Sequence, residues 1–404
     1  MSTDLLYHGW GLGGYQHRFT SFTPGGICFV IEPDPDTFCC SACGATAVER
    51  AGVVVRWFKC LPIGTQAVTL KLAVQRLRCH RCGLTRQARL GFADPQRSYT
   101  RAFEHYALGL SRHMTLQAVA RHLQVSWDTI KDIQKRHLQT HYAKPKLGHL
   151  RQLAIDEISI GRHHRYLTVV LDLASGAVVF VGEGKGAETL RPFWRKLRRA
   201  KATIQAVATD MSPAYTLAVR EHLPEAVHVF DRFHVLKLVN TELAELRREV
   251  QRQAAKEDQQ VLKRTQWLLL KNPEHLRPTR NERARLATAL RLNAPLATAY
   301  YLKEDLRTQF WAQRTQAAAA RFLDDWLARA QASGIRRMQK LAKTLQRHRA
   351  GLLNWYRYRI TTGPLEGTNN KIKTMQRQAY GYRDAEFFKL KIYALHQTTY
   401  ALVG

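Results

Sequence analysis

Four cysteines in this chain have the spacing of metal ligands. They are Cys40-x-x-Cys43 and Cys79-x-x-Cys82, with 35 residues (positions 44 to 78) between the pairs. A two-residue spacer lets both thiolates of a pair face one ion. Gly44 and Gly83 permit the tight turns that aim backbone amides at the sulfurs. Two such knuckles with strands between them predict a zinc ribbon around one structural Zn²⁺. Cys39 is an alternative register, but only Cys40 gives the two-residue spacer. Cys28 and Cys60 lack a partner and read as apolar packing.

A second kind of chemistry is suggested by carboxylates. Asp156 follows the apolar run Leu153-Ala154-Ile155, and Asp210 follows the run from Ile204 to Ala208 and Thr209. Acids that close buried strands repel one another unless cations sit between them. Mg²⁺ (or Mn²⁺) suits that need, because it takes oxygen ligands and also binds substrate phosphates. Two such ions support in-line displacement at phosphorus. A third ligand is sought in Gly363-Pro364-Leu365-Glu366-Gly367-Thr368-Asn369-Asn370, ahead of a helix predicted from Asn370 to Gln378. Composition alone does not choose Glu366 over Asp384 or Glu386. On that helix Lys371, Lys373 and Arg377 are placed to meet backbone phosphates. Glu157 neighbours Asp156, but strand alternation points it to the opposite face.

The elements that must hold these acids are legible as a pattern. Residues 151–183 read as three antiparallel strands, with Ala174-Ser175-Gly176 as a hairpin turn. A basic amphipathic helix follows from Ala187 to Arg199, then a strand ending at Asp210, a helix from Ser212 to His222, and a strand from Val227 to Phe230. The order β-β-β-α-β-α-β is that of a ribonuclease-H-like core, in which Asp156 and Asp210 come side by side. Residues 236–355 read as helices broken by Pro273, Pro278 and Pro295. A final helical stretch is predicted from about Thr368 to the C-terminus.

Nearer the N-terminus, Val53 to Phe58 and Val68 to Leu77 read as strands. Only a short strand, Ile27 to Ile31, is read in residues 1–38. Thr115 to Leu138 has the size and pattern of a helix-turn-helix, with Ser126 as N-cap of the second helix. Ser126, Trp127, Asp128, Thr129, Lys131 and Asp132 would lie on or near its reading face. An ordinary pair of packed helices is the alternative. The charge supports the first reading. Lys and Arg total 63 against 32 Asp and Glu, a net of +31, the electrostatic footprint of a nucleic-acid binder. No apolar run is long enough to span a membrane, and no signal peptide is seen. A reducing, cytoplasmic location is therefore expected, and no membrane partner.

Several long stretches carry a family resemblance. The paired knuckles, AIDEISI, VATDMSPAY, HVFDRFHV, TTGPLEGTNNKIK and QAYGYRDAEFFKL resemble the ISL-three family of insertion-sequence transposases. The resemblance implies a DDE transposase with Asp156, Asp210 and Glu366 as first, second and third acids, holding two Mg²⁺ ions. Asp231 and His234 match a further motif. They would position DNA or a flanking hairpin, or else form a structural hydrogen-bonding pair. The implied partners are double-stranded DNA, as terminal inverted repeats and target, and further copies of the chain as a homodimer or higher oligomer; the implied location is bacterial and nucleoid-associated.

The expected fold is α+β and multidomain. Residues 1–38 are an N-terminal segment, 39–95 the zinc ribbon, and 96–147 the helix-turn-helix domain. Residues 148–235 and 356–404 form a ribonuclease-H-like catalytic core, interrupted by an all-helical insertion at 236–355. Two other functions compete with transposition. One is a catalytically silent DNA-binding regulator, and the other a nuclease of the same fold without strand transfer.

Overall fold

A computed structural model describes residues 5–161 and 165–396. The last residues of the predicted final helix, 397–404, lie outside them. The chain divides into two compact units. One gathers the residues up to Lys144 with Thr374–Ala394, and the other is built mainly from Pro145–Lys373.

The first unit begins with a short helix α1 (Leu5–Trp10) and strands β1 (Tyr15–Thr23), β2 (Gly26–Pro33), β3 (Val48–Ile63), β4 (Gln66–Cys79) and β5 (Thr85–Gln87). The strands form one sheet in the order β1-β2-β4-β3, with β5 on β4. Strands β3 and β4 are the two predicted strands, extended into a long antiparallel hairpin that puts Val48 opposite Cys79. That pairing holds both knuckles at one end of the hairpin. The segment 1–38 is more ordered than its sequence suggested. Strand β1 pairs with β2, and β2 runs parallel to β4. Leu12, Ile31, Phe58, Leu70 and Leu72 close the core of this sheet.

Three helices follow: α2 (Arg101–Leu110), α3 (Leu116–His122) and α4 (Trp127–Tyr142). Thr100, Thr115 and Ser126 cap them, each side-chain oxygen accepting from the backbone N–H three residues on. Val119, Ala120, Leu123, Ile130 and Ile133 are the buried seam between α3 and α4. Phe387, Leu390 and Ala394 join the same core from the C-terminal stretch, so part of 356–404, assigned by sequence to the catalytic core, packs here instead. An apolar stripe on a helix marks a buried face without saying which core buries it.

In the second unit the strands are β6 (Gln152–Ser159), β7 (Tyr166–Asp172), β8 (Val178–Glu183), β9 (Ala206–Thr209) and β10 (Val227–Phe230). They form a sheet in the order β10-β9-β6-β7-β8. Strands β6, β7 and β8 are antiparallel neighbours, while β6, β9 and β10 run parallel. Helices α5 (Arg191–Arg199) and α6 (Pro213–His222) supply Phe193, Trp194, Leu197, Tyr215 and Val219 to the core that also buries Leu153, Ile155, Val170 and Val207. The predicted helix from Ala187 is a 3₁₀ turn up to Leu190, and the α-helix starts at Arg191 with Pro192 in its first turn.

Beyond β10 come α7 (Arg232–Gln253), α8 (Lys256–Arg264), α9 (Gln266–Leu270), α10 (Glu282–Arg291), α11 (Ala294–Thr308), α12 (Gln316–Ala332), α13 (Arg336–Arg347) and α14 (Arg349–Leu353). They share one apolar core built around Leu243, Leu296, Leu323, Trp326, Met338 and Leu345. Among the described residues no helix is long and apolar enough to cross a membrane. The chain then enters α15 (Gly363–Gln378) and α16 (Ala385–Ala394). Helix α15 starts seven residues earlier than the sequence pattern placed it, so Glu366 lies in its first turn rather than in a loop before it.

Candidate active site and DNA interface

The register of the second sheet aligns two of the predicted acids. Leu153 pairs with Val207 and Ala154 with Ala208 in parallel strands. Two further steps along each chain reach Asp156, within β6, and Asp210, just past the end of β9, which therefore stand level. Burial raises the Asp156 carboxyl above its usual range. A hydrogen bond from the Glu157 backbone amide and the charge of His234 pull it back, and the negative charges of Asp210 and Glu157 push it up again. Asp156, Asp210 and His234 thus share one electrostatic neighbourhood. The Asp210 corner is braced locally. Asp210 Oδ1 accepts from Ser212 N–H at 3.0 Å, and the Thr209 hydroxyl donates to the Asp210 carbonyl at 2.6 Å.

Helix α15 reaches the first acid directly. Asn369 Nδ2 donates to Asp156 Oδ2 at 2.9 Å. Glu366 lies three residues before Asn369, one turn back on the same helix face. It is exposed there. Asn369 is buried, and its Oδ1 has no hydrogen-bond partner. A buried acceptor left unpaired beside the Asp156 carboxylate is costly, and a hard cation would relieve it. The three acids themselves are not drawn to ligand distance. Among the described residues, only the four cysteines form a group of three or more such ligands with all donor atoms within 4.8 Å.

Asp231 and His234 stand at the start of α7. Asp231 is 2 % exposed and accepts from the Thr362 hydroxyl at 2.8 Å, just ahead of α15. Its backbone N–H donates to the Thr209 carbonyl at 3.1 Å. Asp231 therefore ties the strand carrying Asp210 to the helix carrying Glu366. Glu157 is engaged elsewhere: its Oε1 accepts from the Tyr215 hydroxyl at 2.7 Å and from Gly186 N–H at 3.0 Å. Tyr215 belongs to the helical layer packed against Ile155, so Glu157 occupies the face away from Asn369.

Sequence reasoning assigned no role to Asn369, Thr362 or His228. The Asn369 signal was its helical spacing from Glu366, hidden because that turn was read as a loop. His228 Nε2 lies 2.7 Å from Thr209 Oγ1. The Thr209 proton is already committed to the Asp210 carbonyl, so the imidazole is the donor. Burial, with a contribution from His348, pushes His228 down to about 4. A histidine with a depressed folded pKa favours the folded state above its unfolded value, and that contribution is lost as pH falls. Melting temperature is thus expected to fall between about pH 6.5 and about 4, and less steeply in His228→Gln. Parallel melting curves of the two proteins would contradict this.

In the first unit the predicted ribbon ligands meet. Cys40 Sγ lies 3.6 Å from Cys82 Sγ, and Cys43 Sγ lies 3.6 Å from Cys79 Sγ. Gly44 and Gly83 adopt positive φ of 75° and 71° and donate to the carbonyls of Cys40 and Cys79. Backbone amides of Cys43 and Ala42 lower the Cys40 thiol to about 6. This cluster could bind zinc.

The helix-turn-helix residues are also placed. Ser126 Oγ accepts from Thr129 N–H at 3.2 Å and lies 2.9 Å from Thr129 Oγ1, so both side chains serve the cap. Trp127 is exposed. Lys131, predicted to meet DNA, pairs with Asp384 at 3.1 Å and lies over the Trp127 ring at 5.4 Å. Lys371, Lys373 and Arg377 are exposed on α15.

Known proteins give this arrangement a context. A family model described as a transposase matches residues 153–392, and one described as the helix-turn-helix domain of transposase family ISL3 matches residues 88–138. The transposase for insertion sequence element IS1001 of Bordetella parapertussis is 34% identical over 372 residues, covering 91% of each chain. That of IS1557 from Mycobacterium tuberculosis is 30% identical over 379 residues, covering 86% of this chain and 83% of the relative. A Drosophila P element transposase strand transfer complex aligns at a TM-score of 0.42 and 13% identity, over 74% of this chain and 92% of that one. The chain belongs to the ISL3 family of insertion-sequence transposases.

Proposed function

We propose that the protein cuts the terminal inverted repeats of its element and joins them to target DNA through Asp156, Asp210 and Glu366. The observation that carries this reading is the hydrogen bond from Asn369 to Asp156, which ties the helix bearing Glu366 to the strand bearing the first acid. The five-stranded sheet is then a ribonuclease-H-like core, supported by its order β10-β9-β6-β7-β8. Residues 236–355, from within α7 to α14, are its insertion.

The donor set fits hard divalent cations: carboxylate oxygens beside the unpaired, buried Asn369 Oδ1. Mg²⁺ held by the three acids would activate the attacking oxygen and stabilise the leaving one. The remaining residues set the geometry. Asn369 orients the Asp156 carboxylate, and Asp231 with Thr362 fixes the approach of α15. The layer holding Glu157 keeps that acid off the reaction face. The four cysteines would hold a structural Zn²⁺, and α4 would lie in the major groove of an element end. Further copies of the chain would assemble on the paired ends.

Incubation with Mg²⁺, duplexes carrying the gene's flanking inverted repeats and a target plasmid tests the proposal. Nicked ends with free 3′ hydroxyls and joined end–plasmid products are expected. Binding to the ends without either product would overturn it. Nicks without joined products would indicate a nuclease instead.

A further inference from the structure

Helix α15 ends in a way that its own stability does not favour. Tyr380 N–H donates to the Arg377 carbonyl at 3.1 Å, and Gly381 N–H to the Gln376 carbonyl at 2.9 Å. These are the paired bonds of a Schellman cap, whose left-handed position is usually glycine. Here that position is Tyr380, with φ of 51°. A glycine is available one residue later, at Gly381. The tyrosine gains nothing from the fold in return, since its side chain is fully exposed. Its neighbour Tyr382 behaves as a structural aromatic should, stacking on Phe388 at 4.6 Å. A local rule broken without a compensating contact marks a functional site.

The surroundings say what that function is. The loop is pinned to the reading helix by Asp384, which accepts from Phe387 N–H at 3.0 Å and pairs with Lys131 and Lys135 at 3.1 Å each. Burial opposes ionisation of Asp384, but the amide of Phe387 and the two lysines outweigh it and hold the carboxyl at about 2. Tyr380 lines an open cleft of about 970 Å³ together with Thr115, Gln117, Trp127 and Lys131. Those four residues belong to the starts of α3 and α4, the ends that face DNA in a helix-turn-helix. Arg383 is exposed beside them. The surface is therefore aromatic and basic, is tied to α4 through Asp384, and flanks the helix that would read bases.

We propose that Tyr380 stacks its ring on a base turned out of the duplex stack at the element end bound by α4, so that the loop from Ala379 to Arg383 is part of the end-recognition surface. The inference rests on the protein binding its own ends. Base–aromatic stacking of this kind changes affinity by about tenfold when the ring is removed.

The test uses the full-length protein and a duplex of the flanking repeat, with 2-aminopurine placed in turn along it. The unaltered protein should change 2-aminopurine emission at one position, where the probe exchanges its neighbouring bases for the ring. Tyr380→Ala and Tyr380→Gly should lose that signal and bind about tenfold more weakly, while Tyr380→Phe retains both. Tyr380→Gly should melt at the same or a higher temperature, because glycine suits the cap. Weaker binding without loss of fold separates a DNA contact from a structural role. Unchanged affinity in Tyr380→Ala, or equal loss in Tyr380→Phe, overturns stacking and leaves end recognition by the helix-turn-helix intact. Failure of the unaltered protein to prefer its own repeat over a scrambled duplex overturns both.

Discussion

Asp156→Ala, Asp210→Ala and Glu366→Ala are each expected to abolish cleavage and joining while leaving end binding largely intact. Catalysis needs every ligand in place, because a small misplacement of the reacting groups costs on the order of 100-fold or more in rate. Affinity comes instead from phosphate contacts spread over a chain of net charge +31. Binding should even tighten slightly, since each change removes a negative charge facing DNA. Glu366 gives the sharpest outcome of the three. It is exposed in the first turn of α15, so its removal disturbs no core. Loss of activity in a variant with unchanged melting temperature would assign it a chemical role. Retained joining by Glu366→Ala would remove it from the site.

Loss of the four-cysteine site should have the second largest effect, on folding rather than chemistry. Strands β3 and β4 end at the knuckles, where four thiol sulfurs converge within 4.8 Å. Sulfurs so close need a cation to be held as thiolates, and structural zinc contributes about 10 kcal/mol or more in small domains. One zinc per chain is expected by elemental analysis, and Cys79→Ser should lose it and expose the hairpin to protease. The second unit does not contain the cysteines, so its melting transition should be retained. Full zinc content in Cys79→Ser would refute the ligand assignment.

The sheet of the second unit was legible because its strands are short apolar runs, one continuing through Asp156 and one stopping just before Asp210. The pattern placed Asp156 and Asp210 side by side, and β6 pairs with β9 two residues before each of them. The ribbon was legible for a similar reason, since knuckle spacing is local. What escaped the sequence was either long-range or a misread boundary. Lys131 looked like a DNA contact, yet its partner Asp384 is 253 residues away, and no local pattern reveals such a pair. Phe387, Leu390 and Ala394 announce a buried face, but sequence cannot say that it packs beside Ile130 and Ile133. Gly363-Pro364 was taken as a break, although proline is well suited to a helix's first turn. That misreading hid the one-turn spacing of Glu366 and Asn369. Strand β1 was missed because most of its residues face solvent, despite the Pro24-Gly25 turn that joins it to β2.

On the proposed mechanism, catalysis belongs to the face of the sheet on which Asp156 meets Asn369. Two adjacent, nearly isosteric substitutions test it most directly: Asp156→Asn and Glu157→Gln, each removing one negative charge from neighbouring residues of β6. Glu157→Gln keeps an oxygen to accept from Tyr215 and Gly186, so the fold should hold. Strand transfer of pre-cut ends into a plasmid, measured with Mg²⁺, should be lost in Asp156→Asn and kept in Glu157→Gln. An active Asp156→Asn beside a dead Glu157→Gln would place the chemistry on the opposite face and contradict the account.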